Sequence, residues 1–77
     1  MPRVRFKLKE VLEQEGLSAY RLERLLGDRI SRATVYRWVR SAPARPDLEA
    51  LAWVIWGLRK LTGKPYDVCD LLEYEEE

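Results

Sequence analysis

The chain has 77 residues, of which 47% are hydrophobic and 35% are charged, and its formal net charge is +1. These values are typical of one folded domain with a small core, and they exclude a disordered chain and a multi-domain protein. There is one cysteine, Cys69, and no histidine, so the sequence predicts neither an internal disulfide nor a zinc or copper site.

No apolar run approaches the ~20 residues that span a bilayer, and the segment MPRVRFKLKE lacks the apolar block of a signal peptide. We therefore expect a cytoplasmic protein that does not contact the membrane. Nothing in the sequence indicates a cofactor or a small-molecule ligand. A domain of this size has little room for a catalytic pocket, so we expect no enzymatic activity.

The small net charge conceals an uneven distribution of charge along the chain. Residues 1–46 hold eleven Lys or Arg and five Asp or Glu, a balance of +6, whereas residues 47–77 hold three and eight, a balance of −5. A basic region is the first mark of a nucleic-acid-binding surface, because it attracts the phosphate backbone.

The two ends of the chain are predicted to pair as strands. The first nine residues alternate apolar and basic side chains, and a period of two is typical of a strand. Because an isolated strand is not stable, we expect residues 3–6 to pair with residues 72–75, which are acidic. Phe6 and Tyr74 are expected to pack on the core.

Two helices follow, each bounded by recognisable capping residues. The first begins near Leu8 and ends at Gly16, and the second is capped by Ser18 and ends at Gly27. After a short connection, Ile30 is expected to enter the core. The apolar positions of the two helices are Leu8, Val11, Leu12, Leu22, Leu25 and Leu26.

The segment SRATVYRWVR, residues 31–40, predicts a third helix with two distinct faces. Ser31 is a good N-cap residue. The predicted core face carries Val35, Trp38, Val39 and Ala42. The opposite face, with Arg32 at its margin, carries Ala33, Thr34, Tyr36, Arg37, Arg40 and Ser41. Since a solvated face usually pairs lysine with glutamate, a basic face without acidic residues suits an anionic partner.

A proline-rich loop, residues 41–46, precedes a longer helix that Asp47 caps and that ends between Thr62 and Pro65. A last short helix, DVCDLLE, holds Cys69, which we expect to be partly buried. The predicted core positions of these two helices are Leu48, Leu51, Ala52, Ile55 and Leu58, followed by Val68, Leu71 and Leu72.

The segments GLSAYRLERLLG and ISRATVYRW together resemble the helix-turn-helix family of the repressor-and-Cro type, also called the xenobiotic-response-element family. The ending DLLEYEEE is similar to the closing helix of that family, and the likeness covers residues 6–74. It implies an all-α, five-helix lambda-repressor-like domain over residues 1–77, with the helix-turn-helix at about residues 18–40, beside the terminal strand pairing. It further implies a sequence-specific double-stranded DNA-binding regulator of transcription, a repressor, of bacterial or phage origin.

Two features depart from the pattern of that family. Glu23 stands where the family has alanine, so its carboxylate must turn outward or pair with a nearby arginine. Asp28 and Arg29 precede Ile30, which makes the turn between the two helices two residues longer.

The resemblance also implies which side chains contact DNA, with the third helix in the major groove and the second against the backbone. Arg37 is the leading candidate for a bidentate contact with guanine. Ala33 and Tyr36 have the simpler alternative of being exposed without a role. Base-facing positions are Arg32, Ala33, Tyr36 and Arg37, phosphate contacts are Tyr20, Arg21, Ser31 and Thr34, and positioning charges are Arg29, Arg40 and Arg45.

Trp53 and Trp56 fall outside the predicted core stripe of the fourth helix. Either the acidic tail and Tyr74 fold over them within one chain, or they form a homodimer interface. The resemblance favours the dimer, because relatives bind two half-sites of DNA as two-fold dimers.

The alternative function is a protein-interaction module, an antitoxin-like adaptor whose basic face docks an acidic protein. Salt dependence distinguishes the two hypotheses, since the affinity of a DNA-binding protein falls along a log-log line as phosphates recover their counterions.

Overall fold

Side-chain caps mark the start of four of the five helices within the described residues. The computed structural model describes residues 1–76, and 62% of the structure is helical. Its five α-helices over that range are α1 (Leu8–Glu15), α2 (Ala19–Leu26), α3 (Arg32–Arg40), α4 (Leu48–Thr62) and α5 (Val68–Leu71). Ser18, Ser31 and Asp47 each accept a backbone N–H at the start of α2, α3 and α4, which confirms the three predicted N-caps.

The two ends of the chain form an antiparallel pair, β1 (Arg3–Phe6) and β2 (Leu72–Glu75). Arg3 lies opposite Glu75, and Phe6 lies opposite Leu72, so the predicted pairing is confirmed. Along one face of the sheet, Nε of Arg3 lies 3.0 Å from a carboxylate oxygen of Glu75, and Nη2 of Arg5 lies 3.1 Å from Glu73. These ion pairs neutralise much of the basic charge of β1.

The opposite, apolar face of the sheet reaches the core at one end only. Phe6 packs edge-on against Trp38, with 5.5 Å between the ring centroids. Tyr74 is 63% exposed, so the prediction that it packs on the core is wrong. Its strand partner Val4 is exposed as well.

The core lies where α1, α2, α3 and α4 meet, closed by Tyr66 and α5. Ile30, in the connection between α2 and α3, is buried there as predicted. The fully enclosed residues are aliphatic, as expected for a small core packed at high density: they are Leu8, Leu22, Leu26, Val35, Val54, Leu58 and Leu71.

The predicted core stripe of α4 is wrong in part. Leu51 and Leu58 are buried, but Leu48 is 77% exposed and Ala52 is exposed. Ile55 is half-buried, and Val54 and Gly57 take the inner positions instead. Apolar residues occur on nearly every side of α4, so periodicity does not single out one face of this helix.

Gly57 allows α2 to approach α4 closely. A β-carbon at this position would lie 2.9 Å from Cδ1 of Leu22 and 3.2 Å from Cδ2 of Leu26. Both leucine side chains are fully buried, so they would have to shift within the packed core to admit it. The missing side chain therefore sets the distance between the two helices.

Three smaller predictions about burial are also corrected. Ala42 is exposed, because α3 ends at Arg40 and the helical periodicity does not continue to it. Val68 and Cys69 are exposed because α5 is a single turn that buries only Leu71. Leu72 is half-buried, and it belongs to β2 rather than to the last helix.

A 3-10 turn over Gly27–Arg29 connects α2 to α3 and covers two tryptophans of α4. Gly27 has φ 56° and ψ −122°, a conformation that side chains rarely allow. Trp53 and Trp56, here called the indole pair, stack edge to face at 5.4 Å between ring centroids. The guanidinium carbon of Arg29 lies 4.9 and 5.1 Å from these two centroids. The indole pair is thus half-buried against Arg29 of this turn, whereas residues 72–75, Tyr74 among them, pair with β1.

A polar cluster joins α1 to the segment between α4 and α5. The hydroxyl of Tyr66 donates a hydrogen bond to the carboxylate of Glu15, and Nζ of Lys64 lies 2.9 Å from the same oxygen. These two partners lower the pKa of Glu15. Burial, together with the bond to Glu15, raises the pKa of Tyr66 to about 12. We call these three residues the Glu15 cluster.

Candidate nucleic-acid interface

The outer face of α3 is a basic strip in the structure, as the helical wheel predicted. Val35 and Trp38 are buried and Val39 is half-buried on its inner side. No acidic residue occurs in α3. The predicted contact residues Arg32, Ala33, Tyr36, Arg37 and Arg40 are all exposed on this helix, and Thr34 is half-buried.

The first turn of α3 is fixed by its own hydroxyl groups. Ser31 Oγ accepts the backbone N–H of Thr34 at 3.1 Å, and its hydroxyl donates to Oγ1 of Thr34 at 2.7 Å. Two of the four predicted phosphate contacts, Ser31 and Thr34, therefore hold each other in place at the start of the helix. Ser31 is exposed, so its oxygen remains accessible to a partner.

A cleft of about 370 Å³ separates the exposed sides of α2 and α3. Three of the predicted site residues meet there, because Tyr20 of α2 lies across from Arg32 and Tyr36 of α3. The cleft is further lined by Glu23 and Arg24. Arg24 was missed by sequence reasoning, although its position four residues after Tyr20 places both on one side of α2. Arg21, exposed one residue beyond Tyr20, does not line the cleft.

Glu23 and Arg32, which both line this cleft, form an ion pair. Nε of Arg32 lies 3.3 Å from Oε1 of Glu23. The glutamate side chain is only 16% exposed, whereas the arginine side chain is 76% exposed. Of the two alternatives predicted for the carboxylate, pairing with a nearby arginine is the one that the structure has.

The basic charge of the chain is concentrated around the α2–α3 pair. Residues 18–46 hold seven arginines against Glu23 and Asp28, a net charge of +5. The cations of β1 contribute less to this surface, because they pair with Glu73 and Glu75. Lys7 lies 3.9 Å from the carboxylate of Glu73 as well. An approaching polyanion would therefore meet its strongest attraction at α2 and α3.

Among residues 1–76, no three side chains of Cys, Asp or Glu converge to form a possible metal site. No helix within that range combines the length and the apolar character needed to cross a membrane.

A comparison of the chain with known protein families, with curated proteins and with solved structures found no match.

Proposed function

We propose that this chain is a sequence-specific double-stranded DNA-binding protein of the lambda-repressor-like helix-turn-helix type, acting as a transcriptional repressor. In this proposal α2, the 3-10 turn and α3 form the helix-turn-helix, and α3 enters the major groove. The observation that carries the proposal is the exposed face of α3, which is rich in arginine and has no acidic residue. A helix of this kind fits the major groove and its phosphate rim.

The exposed arginines of α3 take two different roles in this proposal. Arg37 lies in the middle of the strip and contacts base edges, where a bidentate arginine–guanine pair contributes ~1–3 kcal/mol of discrimination. Arg40, at the end of α3, and Arg45, in the loop beyond it, contact phosphates. Phosphate contacts fix the orientation of the protein but carry no sequence information.

Selection of duplex oligonucleotides from a random pool, at two salt concentrations, tests the proposal. Arg37→Ala should then relax sequence preference, whereas Arg40→Ala should weaken binding to all sequences and flatten the salt slope by about one unit. Lys9→Ala, which removes an exposed cation from α1, is the matched control. If both α3 variants kept wild-type affinity for the selected site, groove entry by α3 would be refuted. A binding affinity that did not change with salt concentration would favour a protein partner instead.

We further propose that the protein binds DNA as a two-fold dimer through the outer side of α4. Leu48, Ala52 and Trp56 follow one another at intervals of four residues and so share one side of that helix. Leu48 and Ala52 are exposed, and Trp56 is half-buried against Arg29. The proposed centre of the interface therefore lies nearer to Leu48 than to Trp53, because Leu48 is exposed to solvent in the single chain.

Sedimentation of the Leu48→Glu variant tests the dimer. We expect a monomer that binds the full site weakly, while Val68→Glu, at another exposed apolar position, should associate like the wild type. A wild-type chain that stayed monomeric at high micromolar concentration, free and on DNA, would refute the dimer.

A further inference from the structure

We propose that Glu23 is a positioning residue that holds Arg32 so that its terminal nitrogens contact a guanine at the first turn of α3. This inference rests on the proposed DNA binding. It assigns a purpose to a carboxylate that lies among arginines on a surface otherwise suited to an anion.

The geometry makes Glu23 the fixed member of the pair. Its side chain comes from the middle of α2, which packs on α3 and α4, and is 16% exposed. Arg32 is the first residue of α3, and its 76% exposed side chain is held at 3.3 Å by that carboxylate. A long side chain that would otherwise sample many rotamers is therefore restricted before it meets DNA.

The atoms engaged in the ion pair leave a suitable group for a base. Guanidinium has five N–H donors, and Nε, which carries one of them, is the atom of Arg32 that lies 3.3 Å from the carboxylate of Glu23. The four donors on the two terminal nitrogens remain, in a planar fork that matches O6 and N7 of guanine. Tyr36 of α3 lines the same cleft as Arg32. We therefore expect the guanine that Arg32 contacts to belong to a G·C pair next to Tyr36.

The same carboxylate acts against indiscriminate binding. A negative charge within the cleft repels phosphates and cancels the charge of Arg32 toward random DNA. Removing it should therefore have two opposite effects, a gain of affinity for random duplex and a loss of discrimination at one base pair. If Glu23 only stabilised the fold, its removal would alter the affinities for the selected duplex and for random duplex together, in proportion to the loss of folded protein.

Fluorescence anisotropy with the selected duplex, with its single-base-pair variants and with random duplex provides the test. Glu23→Ala should lower discrimination about threefold to tenfold at a single G·C pair, because an immobilised long side chain is released. Glu23→Gln, which keeps an acceptor oxygen, should retain part of that discrimination. Arg32→Ala should lose discrimination at the same pair, and the double variant should lose no more. Glu13→Ala, on the exposed side of α1, controls for the lost charge.

A second measurement in the absence of DNA separates this inference from the proposed function. The Nε–H signal of Arg32 in the nuclear magnetic resonance spectrum should exchange slowly with water in the wild type and rapidly in Glu23→Ala. Rapid exchange in both proteins would overturn the positioning role even if DNA binding were demonstrated. Unchanged discrimination at every base pair in folded Glu23→Ala would overturn it too. If the Nε–H of Arg32 exchanged slowly in a wild-type protein that did not bind DNA, the proposed function and the guanine contact would be refuted. The ion pair between Glu23 and Arg32 would still be supported.

Discussion

Replacing Tyr66 by phenylalanine isolates the contribution of one hydrogen bond to the stability of the fold. The ring is only 8% exposed and would stay in the core, while the hydroxyl that donates to Glu15 is lost. A hydrogen bond to a charged group contributes ~1.5–3 kcal/mol, so we expect the free energy of unfolding to fall by about that amount at pH 7. Lys64 still pairs with Glu15 in the variant, which spares the carboxylate full isolation.

The same bond makes a prediction about pH. Since the pKa of Tyr66 rises from 10.0 to about 12 on folding, the folded state holds this proton more tightly than the unfolded state. The stabilisation that comes from this pKa difference is complete below pH ~10 and is lost progressively as the pH rises toward 12. The pKa of Glu15 is lowered on folding, so its contribution is complete above pH ~4.5 and is lost as the pH falls below that.

Urea denaturation at pH 7 and pH 11.5, followed by circular dichroism, measures the contribution of the Tyr66 hydrogen bond and its loss at alkaline pH. The stability difference between wild type and Tyr66→Phe should be clear at pH 7 and should shrink at pH 11.5. Tyr74→Phe is the matched control, because this ring is exposed and its loss of a hydroxyl should change stability by less than ~0.5 kcal/mol. Equal stability of Tyr66→Phe and wild type at pH 7, or the same alkaline loss in both, would refute the reasoning.

Three further perturbations test the packing of the fold. Gly57→Val forces a side chain against the enclosed Leu22 and should lower the free energy of unfolding by ~1–3 kcal/mol in the same denaturation assay. Deleting residues 73–77 should lower the melting temperature and accelerate amide exchange at Val4; an unchanged melting curve with rapid exchange in both forms would contradict the strand pairing. Arg29→Ala should cost ~0.5–1 kcal/mol and shift the emission of the indole pair to longer wavelength, whereas unchanged emission would contradict its cover.

Features of the fold that depend on neighbouring residues were predictable from the sequence. The N-caps at Ser18 and Ser31 each satisfy a backbone donor three residues later, an interaction that needs no other part of the chain. The pairing of residues 3–6 with 72–75 is a distant contact, yet it was predictable because the alternating first segment needs a strand partner and the segment around Tyr74 was the only other candidate.

Features that depend on how elements meet were not predictable. The inner face of α4 is set by Gly57, whose missing side chain admits Leu22, and hydrophobicity alone gives that glycine no weight. The cover of the indole pair comes from Arg29, which lies in a turn 24 residues before Trp53 and 27 residues before Trp56. At the candidate site, the α3 strip followed from one helix, whereas the cleft required the relative placement of two.

The salt dependence of DNA binding should reflect the local charge around α2 and α3 rather than the charge of the whole chain. Of the seven arginines in residues 18–46, Arg29 lies over the indole pair and Arg32 pairs with Glu23. Five remain, and Arg37 is assigned to a base, so four are available for phosphates. At about −0.9 per neutralised phosphate, the log-log slope should be near −4 for each bound chain. A much steeper slope would mean that the cations of β1 leave their glutamates and contact phosphates in the complex. Because those cations would then already be counted in the wild-type slope, deletion of residues 73–77 would leave the slope unchanged.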